Sequence, residues 1–205
     1  MTQIDDTFGP YGASSPRYDT LTQAIHWLSL IVFAIAFMIG LVMEDMPRGP
    51  EKTQLVNLHA SMGVLLLALT AVRLGWRAVV PGPAPSGSRL MQLAAKAMHL
   101  ALYAVLVALP ISGVLMMAAK GRAFDVFGLF TVPPLMATDR ASGESLEEAH
   151  EMLSYLMLFL VGLHAAAAVF HQAILKDGVL ARMLPFGRTC ESSPLRGRTS
   201  PGFPT

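Results

Sequence analysis

Four stretches of this chain contain no Asp, Glu, Lys or Arg: 24 residues between Asp19 and Glu44, 20 between Lys52 and Arg73, 23 between Lys96 and Lys120, and 24 between Glu151 and Lys176. Each exceeds the ~18 apolar residues that mark a spanning helix, and 20 residues at about 1.5 Å rise cover the ~30 Å of a hydrocarbon core. The pattern predicts an all-α, integral membrane four-helix bundle with spans near 20–43, 53–74, 97–119 and 150–175. Composition agrees. The chain is 53% hydrophobic and 14% charged, against about 25% charged in an ordinary soluble domain. That excludes a disordered chain, leaves too little polar surface for a soluble monomer, and makes membrane lipid the expected surroundings. A net charge of +1, with no basic block interrupting the apolar stretches, argues against a nucleic-acid partner. One cysteine, Cys190, excludes a disulfide framework and any site built on several thiolates.

The segment before the first run is acidic and rich in Gly, Pro and Ser, whereas a cleaved signal needs a basic start and a short apolar core. The first run is therefore read as a true span. Ten Lys and Arg fall on the N-terminus (Arg17), the second connection (Arg73, Arg77, Arg89, Lys96) and the C-terminus (Lys176, Arg182, Arg188, Arg196, Arg198). Five fall on the other side: Arg48, Lys52, Lys120, Arg122 and Arg140. The positive-inside bias predicts that both termini face the cytoplasm. Nine of the 14 acids then lie outside, leaving that side at −4. Pro81, Gly82, Pro83 and Pro85 punctuate the second connection as a loop. The third, from Lys120 to about Ala141 with Gly121, Gly128, Pro133 and Pro134, is long enough to cap the outer face. Residues 1–16 and 186–205 read as disordered tails around one domain, 17–185, without internal repeats.

All six histidines, His26, His59, His99, His150, His164 and His171, fall in or at the ends of the four spans. Ionisable groups there are costly and point to function. A single histidine near a helix end is ordinarily an interfacial residue; six across four spans form a pattern. His150 and His164 are 14 residues apart on one helix, which places them within about 40° of one face and about 21 Å apart along the axis. One helix thus offers an imidazole to each leaflet, as two stacked haems require. The second and fourth spans both begin outside, so His59 can pair with His150. The first begins inside, so His26 can pair with His164. Two neutral nitrogens per iron give the six-coordinate ligation of an electron-transfer haem. Gly63, Gly162 and Ala165 to Ala168 flank these positions with small side chains that admit a flat group. Depth counting from the charges matches His26 with His171 better. A 150/171 arrangement, however, would separate two irons by about 31 Å, so His164 is preferred. His171 and His99 remain near the cytoplasmic end, available to a quinone or a propionate. Arg73 and Arg77, at the inner end of the second span, suit propionates or a quinone carbonyl, and positive-inside anchoring explains them equally. No His-Glu-Xaa-Xaa-His or paired-cysteine motif points to zinc. The 13 methionines are read as packing residues.

These residues carry a resemblance. Ile25-His26-Trp27-Leu28, Leu58-His59-Ala60-Ser61-Met62-Gly63, Ala108-Leu109-Pro110-Ile111-Ser112-Gly113 and Val161-Gly162-Leu163-His164-Ala165-Ala166-Ala167-Ala168 through His171, Lys176-Asp177 and Met183-Leu184-Pro185 are similar to the bacterial diheme cytochrome b561 family, superoxide oxidase type. The likeness runs from about Tyr18 to Pro185. It implies two haem b cofactors with iron ligands at His26 with His164 and at His59 with His150. It also implies a bacterial inner-membrane location and electron flow from the periplasmic side to ubiquinone. Superoxide, as anionic donor, needs local positive potential; Lys120 and Arg122 are the candidates, Arg140 a weaker one, and interfacial anchoring explains the same residues. Two rival readings stand beside this one. The bundle could be the subunit that anchors a periplasmic hydrogenase or dehydrogenase and relays its electrons, or a non-haem carrier of protons or metal.

Overall fold

A computed structural model describes residues 17–83 and 87–185. Both tails expected from the sequence lie outside the described residues. The chain forms α1 (Thr20–Glu44), α2 (Pro50–Val79), α3 (Arg89–Ala119), a hairpin of β1 (Phe124–Val126) and β2 (Phe130–Val132), and α4 (Arg140–Phe170). A π turn (His171–Leu175) and a 3-10 turn (Leu180–Arg182) follow. All four helices are long and apolar enough to cross a membrane, and they make a membrane helical bundle. Neighbours in sequence pack on one another, whereas α1 and α4 scarcely approach along their backbones. One end of the bundle carries the hairpin and the α1–α2 turn; the other carries the first and last described residues.

The helices outrun the charge-free windows, because a charge marks where hydrocarbon ends and not where helical hydrogen bonding ends. α2 starts at Pro50, where the missing N–H costs nothing. α3 starts at Arg89, behind the Ser88 cap, and α4 at Arg140, ten residues before His150, behind Asp139, which accepts from Ala141 N and Ser142 N. Asp19 caps α1. Its carboxylate accepts from Thr22 N at 3.0 Å and Thr22 Oγ1 at 2.6 Å, and from Trp76 Nε1 of α2 at 3.0 Å. The C-terminal segment folds back onto this corner: Gln23 Nε2 donates to Tyr18 O and Arg182 O, and Trp27 Nε1 donates to Met183 O.

The mid-bundle core is Val32, Phe33, Leu66, Val105, Leu106, Leu109 and Met157. α4 adds little to it, burying only Gly143 and Met157. At the hairpin end Phe124 and Val126 bury against Met117, with Val56, Ala60, Val64 and Val114 around them. The expected outer cap is thus a hairpin, pairing Phe124 with Val132, Asp125 with Thr131 and Val126 with Phe130.

Hydrogen bonds from Thr22 hold the Asp19 carboxyl below its ordinary range, against a small opposing effect of burial. A depressed native value stabilises the fold above the unfolded pKa, about 4, and that contribution is lost as pH falls through the native value. Asp19→Ala is expected to lower the thermal midpoint of the purified protein at pH 7, by the equivalent of about 1 kcal/mol. The gap between variant and parent should narrow progressively in melts taken at falling pH below about 4.

Candidate functional site

α4 is the spine of the site. It runs unbroken from Arg140 to Phe170 and carries His150 and His164, about 21 Å apart along the axis. Each faces an imidazole from another helix. His59 of α2 stands 6.0 Å from His150, centroid to centroid, with planes at 72°. His26 of α1 stands 6.3 Å from His164 at 73°. The structure therefore brings His26 to His164, whereas His171 points elsewhere.

At the hairpin-end pair, His59 Nδ1 lies 2.9 Å from Ala36 O, and His150 Nδ1 lies 3.0 Å from Leu109 O. Ser112 Oγ also lies 3.0 Å from His150 Nδ1 while donating its own proton to Leu109 O at 2.7 Å. A carbonyl only accepts, so each Nδ1 carries the proton and each Nε2 keeps its lone pair. The two carbonyls are reached in the same way. On a helix, a side chain covers the turn N-terminal to its own Cα. The residue four places after Ala36 is Gly40, and four after Leu109 is Gly113. A Cβ at Gly40 would stand 3.5 Å from His59 Cε1, and one at Gly113 only 3.1 Å from His150 Cε1. Phe33, Phe37, Gly63, Leu66 and Pro110 line the small cavity beside the pair.

The other pair is built differently. His99 of α3, exposed at the surface, puts its ring 5.7 Å from His164, so three imidazoles gather there. Among the described residues no carbonyl hydrogen bond pins these rings. Arg73 lies within electrostatic range of all three. Its guanidinium stacks over Tyr103 at 5.5 Å, and its buried Nε has no hydrogen-bond partner among the described residues. Arg77 stacks on Tyr18 at 5.3 Å and donates to Val80 O. His171 Nδ1 donates to Asp177 at 2.6 Å across the π turn, with Lys176 left-handed at φ 52°. Burial raises the Asp177 carboxyl, but the hydrogen bonds from His171 and Val179 and the charge of Arg182 outweigh it and hold the carboxyl low.

Lys120, a candidate for drawing an anion, is engaged in an ion pair: its Nζ lies 2.7 Å from the exposed Glu147, and the pair joins α3 to α4. Arg140 pairs with Glu144 at 2.8 Å. Arg122 is exposed and has no ion pair among the described residues.

A metal–imidazole bond of about 2 Å, with the ring centre about 1 Å beyond the nitrogen, spaces two axial rings about 6 Å apart. Both pairs meet that distance. Among the described residues no group of three or more His, Cys, Asp or Glu is placed to hold a metal ion. Facing pairs instead suit an ion that arrives with its equatorial ligands, as in haem. The orphaned Arg73 N–H suits a carboxylate on such a group.

Residues 17–186 match the family model for prokaryotic cytochrome b561. The chain belongs to this family. It is 38% identical over 177 residues to cytochrome b561 homolog 2 of Escherichia coli, covering 82% of this chain and 91% of the relative. It is 30% identical over 172 residues to cytochrome b561 homolog 1 of E. coli, covering 82% and 97%. It is 29% identical over 170 residues to the probable superoxide oxidase CybB of Yersinia pestis, covering 82% and 96%. Membership makes this cytochrome b561 a prokaryotic membrane electron-transport protein and implies b-type haem. Ala36 and Gly40 escaped sequence reasoning, and Ser112 entered it only as part of a motif, without its role beside His150. The available signal was that Gly40 is the sole glycine of α1 and that Ser112-Gly113 follows a proline inside α3.

The two glycines make a paired test. Gly113→Ala is expected to push His150 off its carbonyl and to lower the haem b content per chain, read from the reduced-minus-oxidised spectrum. Gly40→Ala, with ordinary van der Waals room at 3.5 Å, should keep the full content.

Proposed function

We propose that this cytochrome b561 is a diheme oxidoreductase that takes electrons from superoxide at the periplasmic face and delivers them to ubiquinone near the cytoplasmic face. The observation that carries the diheme reading is the pair of imidazole couples at 6.0 and 6.3 Å on one continuous helix. A haem at each couple supplies reversible one-electron transfer. His59 and His150 offer Nε2 lone pairs at the outer couple, with Nδ1–H held by backbone carbonyls. His26 and His164 would hold the inner haem without such carbonyl bonds, and Arg73, assisted by Arg77, would hold a propionate. His99 and the His171–Asp177 pair serve the quinone, His171 giving up a proton and drawing another through Asp177. The reaction balances: two superoxide ions each lose one electron to leave O2, and ubiquinone gains two electrons and two protons. Positive-inside counting supports placing both termini in the cytoplasm. The resemblance to a probable superoxide oxidase supports the donor. With Lys120 engaged by Glu147, Arg122 is the cation that draws the anion.

A second reading makes the chain a relay subunit for a periplasmic hydrogenase or dehydrogenase. The row of exposed acids Glu144, Glu147, Glu148 and Glu151 on α4 favours it, because such a face repels superoxide and suits a cationic protein surface.

Stopped-flow mixing of the purified chain with superoxide decides between them. Direct haem reduction, followed by reoxidation on adding ubiquinone, is expected. No reduction by superoxide, with reduction by a copurifying dehydrogenase, would establish the relay. His150→Ala and His164→Ala are each expected to lose one haem b per chain; retention of two in both variants would refute the ligand assignment.

A further inference from the structure

We propose that the β1–β2 hairpin is an interfacial anchor whose tip sits in the lipid leaflet at the hairpin end of the bundle. The tip is apolar and open: Phe127 is 47%, Leu129 79% and Phe130 55% exposed. The turn places Phe127 and Gly128 at φ 51° and 71°, closed by Leu129 N donating to Val126 O at 2.9 Å. A hairpin turn with two positive φ values ordinarily takes Asn-Gly. Here a phenylalanine occupies a left-handed position, with about half of its surface left uncovered by protein.

Depth identifies what covers it. α3 and α4 run antiparallel in a register fixed by two contacts, Gly143 against Lys120 and Gly113 against His150. The last charge at this end of α4, the exposed Glu151, therefore lies level with Ser112. The hairpin descends to nearly the same level. Val126 buries in a cluster with Phe124 and Met117, against which Val114 of α3 and Val64 of α2 pack, and Phe127 N donates to Ser61 Oγ at 2.9 Å. The tip thus stands within about a turn of the depth at which charge leaves the surface of α4. At this depth the bundle surface is already apolar, with Leu58, Ile111 and Leu115 each more than a third exposed, so the tip lies level with the lipid-facing belt of the spans. The polar residues of the hairpin lie farther out, where Asp125 N meets Asn57 Oδ1 and Thr131 Oγ1 donates to Asp125.

Non-helical backbone at this depth must have its polar groups satisfied by protein. Ser61, 1% exposed, does so. Its oxygen accepts from Phe127 N, and its proton is shared between Asp125 O at 3.0 Å and Asn57 O at 2.7 Å. Aromatic and apolar side chains at the membrane boundary are the ordinary anchors of a span. The hairpin supplies them beside α2, two residues beyond His59.

The unmodified holoprotein tests this in liposomes. Trypsin cleavage after Arg122 and Arg140 releases residues 123–140, which carry the hairpin. A carbene photolabel confined to acyl chains is expected to tag that peptide. An untagged peptide, with α4 peptides tagged in the same sample, overturns the proposal. In a Cys190→Ser background, Leu129→Cys should react with a membrane-impermeant maleimide at least tenfold more slowly than Glu148→Cys. Equal rates in protein-only liposomes would mean that the tip faces water, free for a protein partner, and would overturn it as well.

Discussion

Two N–H···O=C bonds organise the hairpin half of this molecule. An imidazole can present a lone pair in a fixed direction only when its other nitrogen is held as a donor. His59 gives its proton to Ala36 O and His150 gives its proton to Leu109 O. Each such bond contributes on the order of 1 kcal/mol, and the larger consequence is directional, because both rings are left with Nε2 free. The carbonyls already belong to helical hydrogen bonds; Leu109 O is reached closely because Gly113 stands four residues on, whereas at Ala36 O the position of Gly40 leaves ordinary room. The packing of α1 on α2 and of α3 on α4 therefore also orients a functional pair, and backbone geometry and site chemistry are the same contacts seen twice.

The pair at the other end shows the contrast. Three imidazoles and a half-buried arginine gather there without pinning carbonyls, and α1 and α4 beside them scarcely approach along their backbones. A rigid couple and a more open cluster on one helix suit an electron path with different tasks at its two ends. In the proposed function, donor exchange at the first asks for fixed ligands, and quinone chemistry at the second asks for cations, proton carriers and room. The His171–Asp177 pair lies at that second end, on a π turn, a helix irregularity common at functional positions.

Much of this was legible in the sequence because the relevant physics is one-dimensional. Charge-free runs report membrane thickness, and the 14-residue spacing of His150 and His164 reports a shared helical face. Partner choice between His164 and His171 was harder. Depth counts start from charges, and α4 extends twelve residues beyond the His150 end of its charge-free run, so the boundary shifts relative to the helix. What the sequence could not carry was contact between distant segments. Nothing local to Lys120 announces Glu147, 27 residues away, with which it pairs. Nothing local to Gly40 announces His59. The hairpin is similar: Phe-Gly between short apolar runs hints at a turn, but its seat on Ser61 depends on α2.

The number of haem b groups per polypeptide, with their ferric spin state, tests the central claim most directly. Two imidazole couples at 6.0 and 6.3 Å predict two haems in the purified full-length chain, both low-spin with bis-imidazole ligation. A single haem per chain, or a second one that is high-spin with an open axial position, would contradict the paired-imidazole architecture.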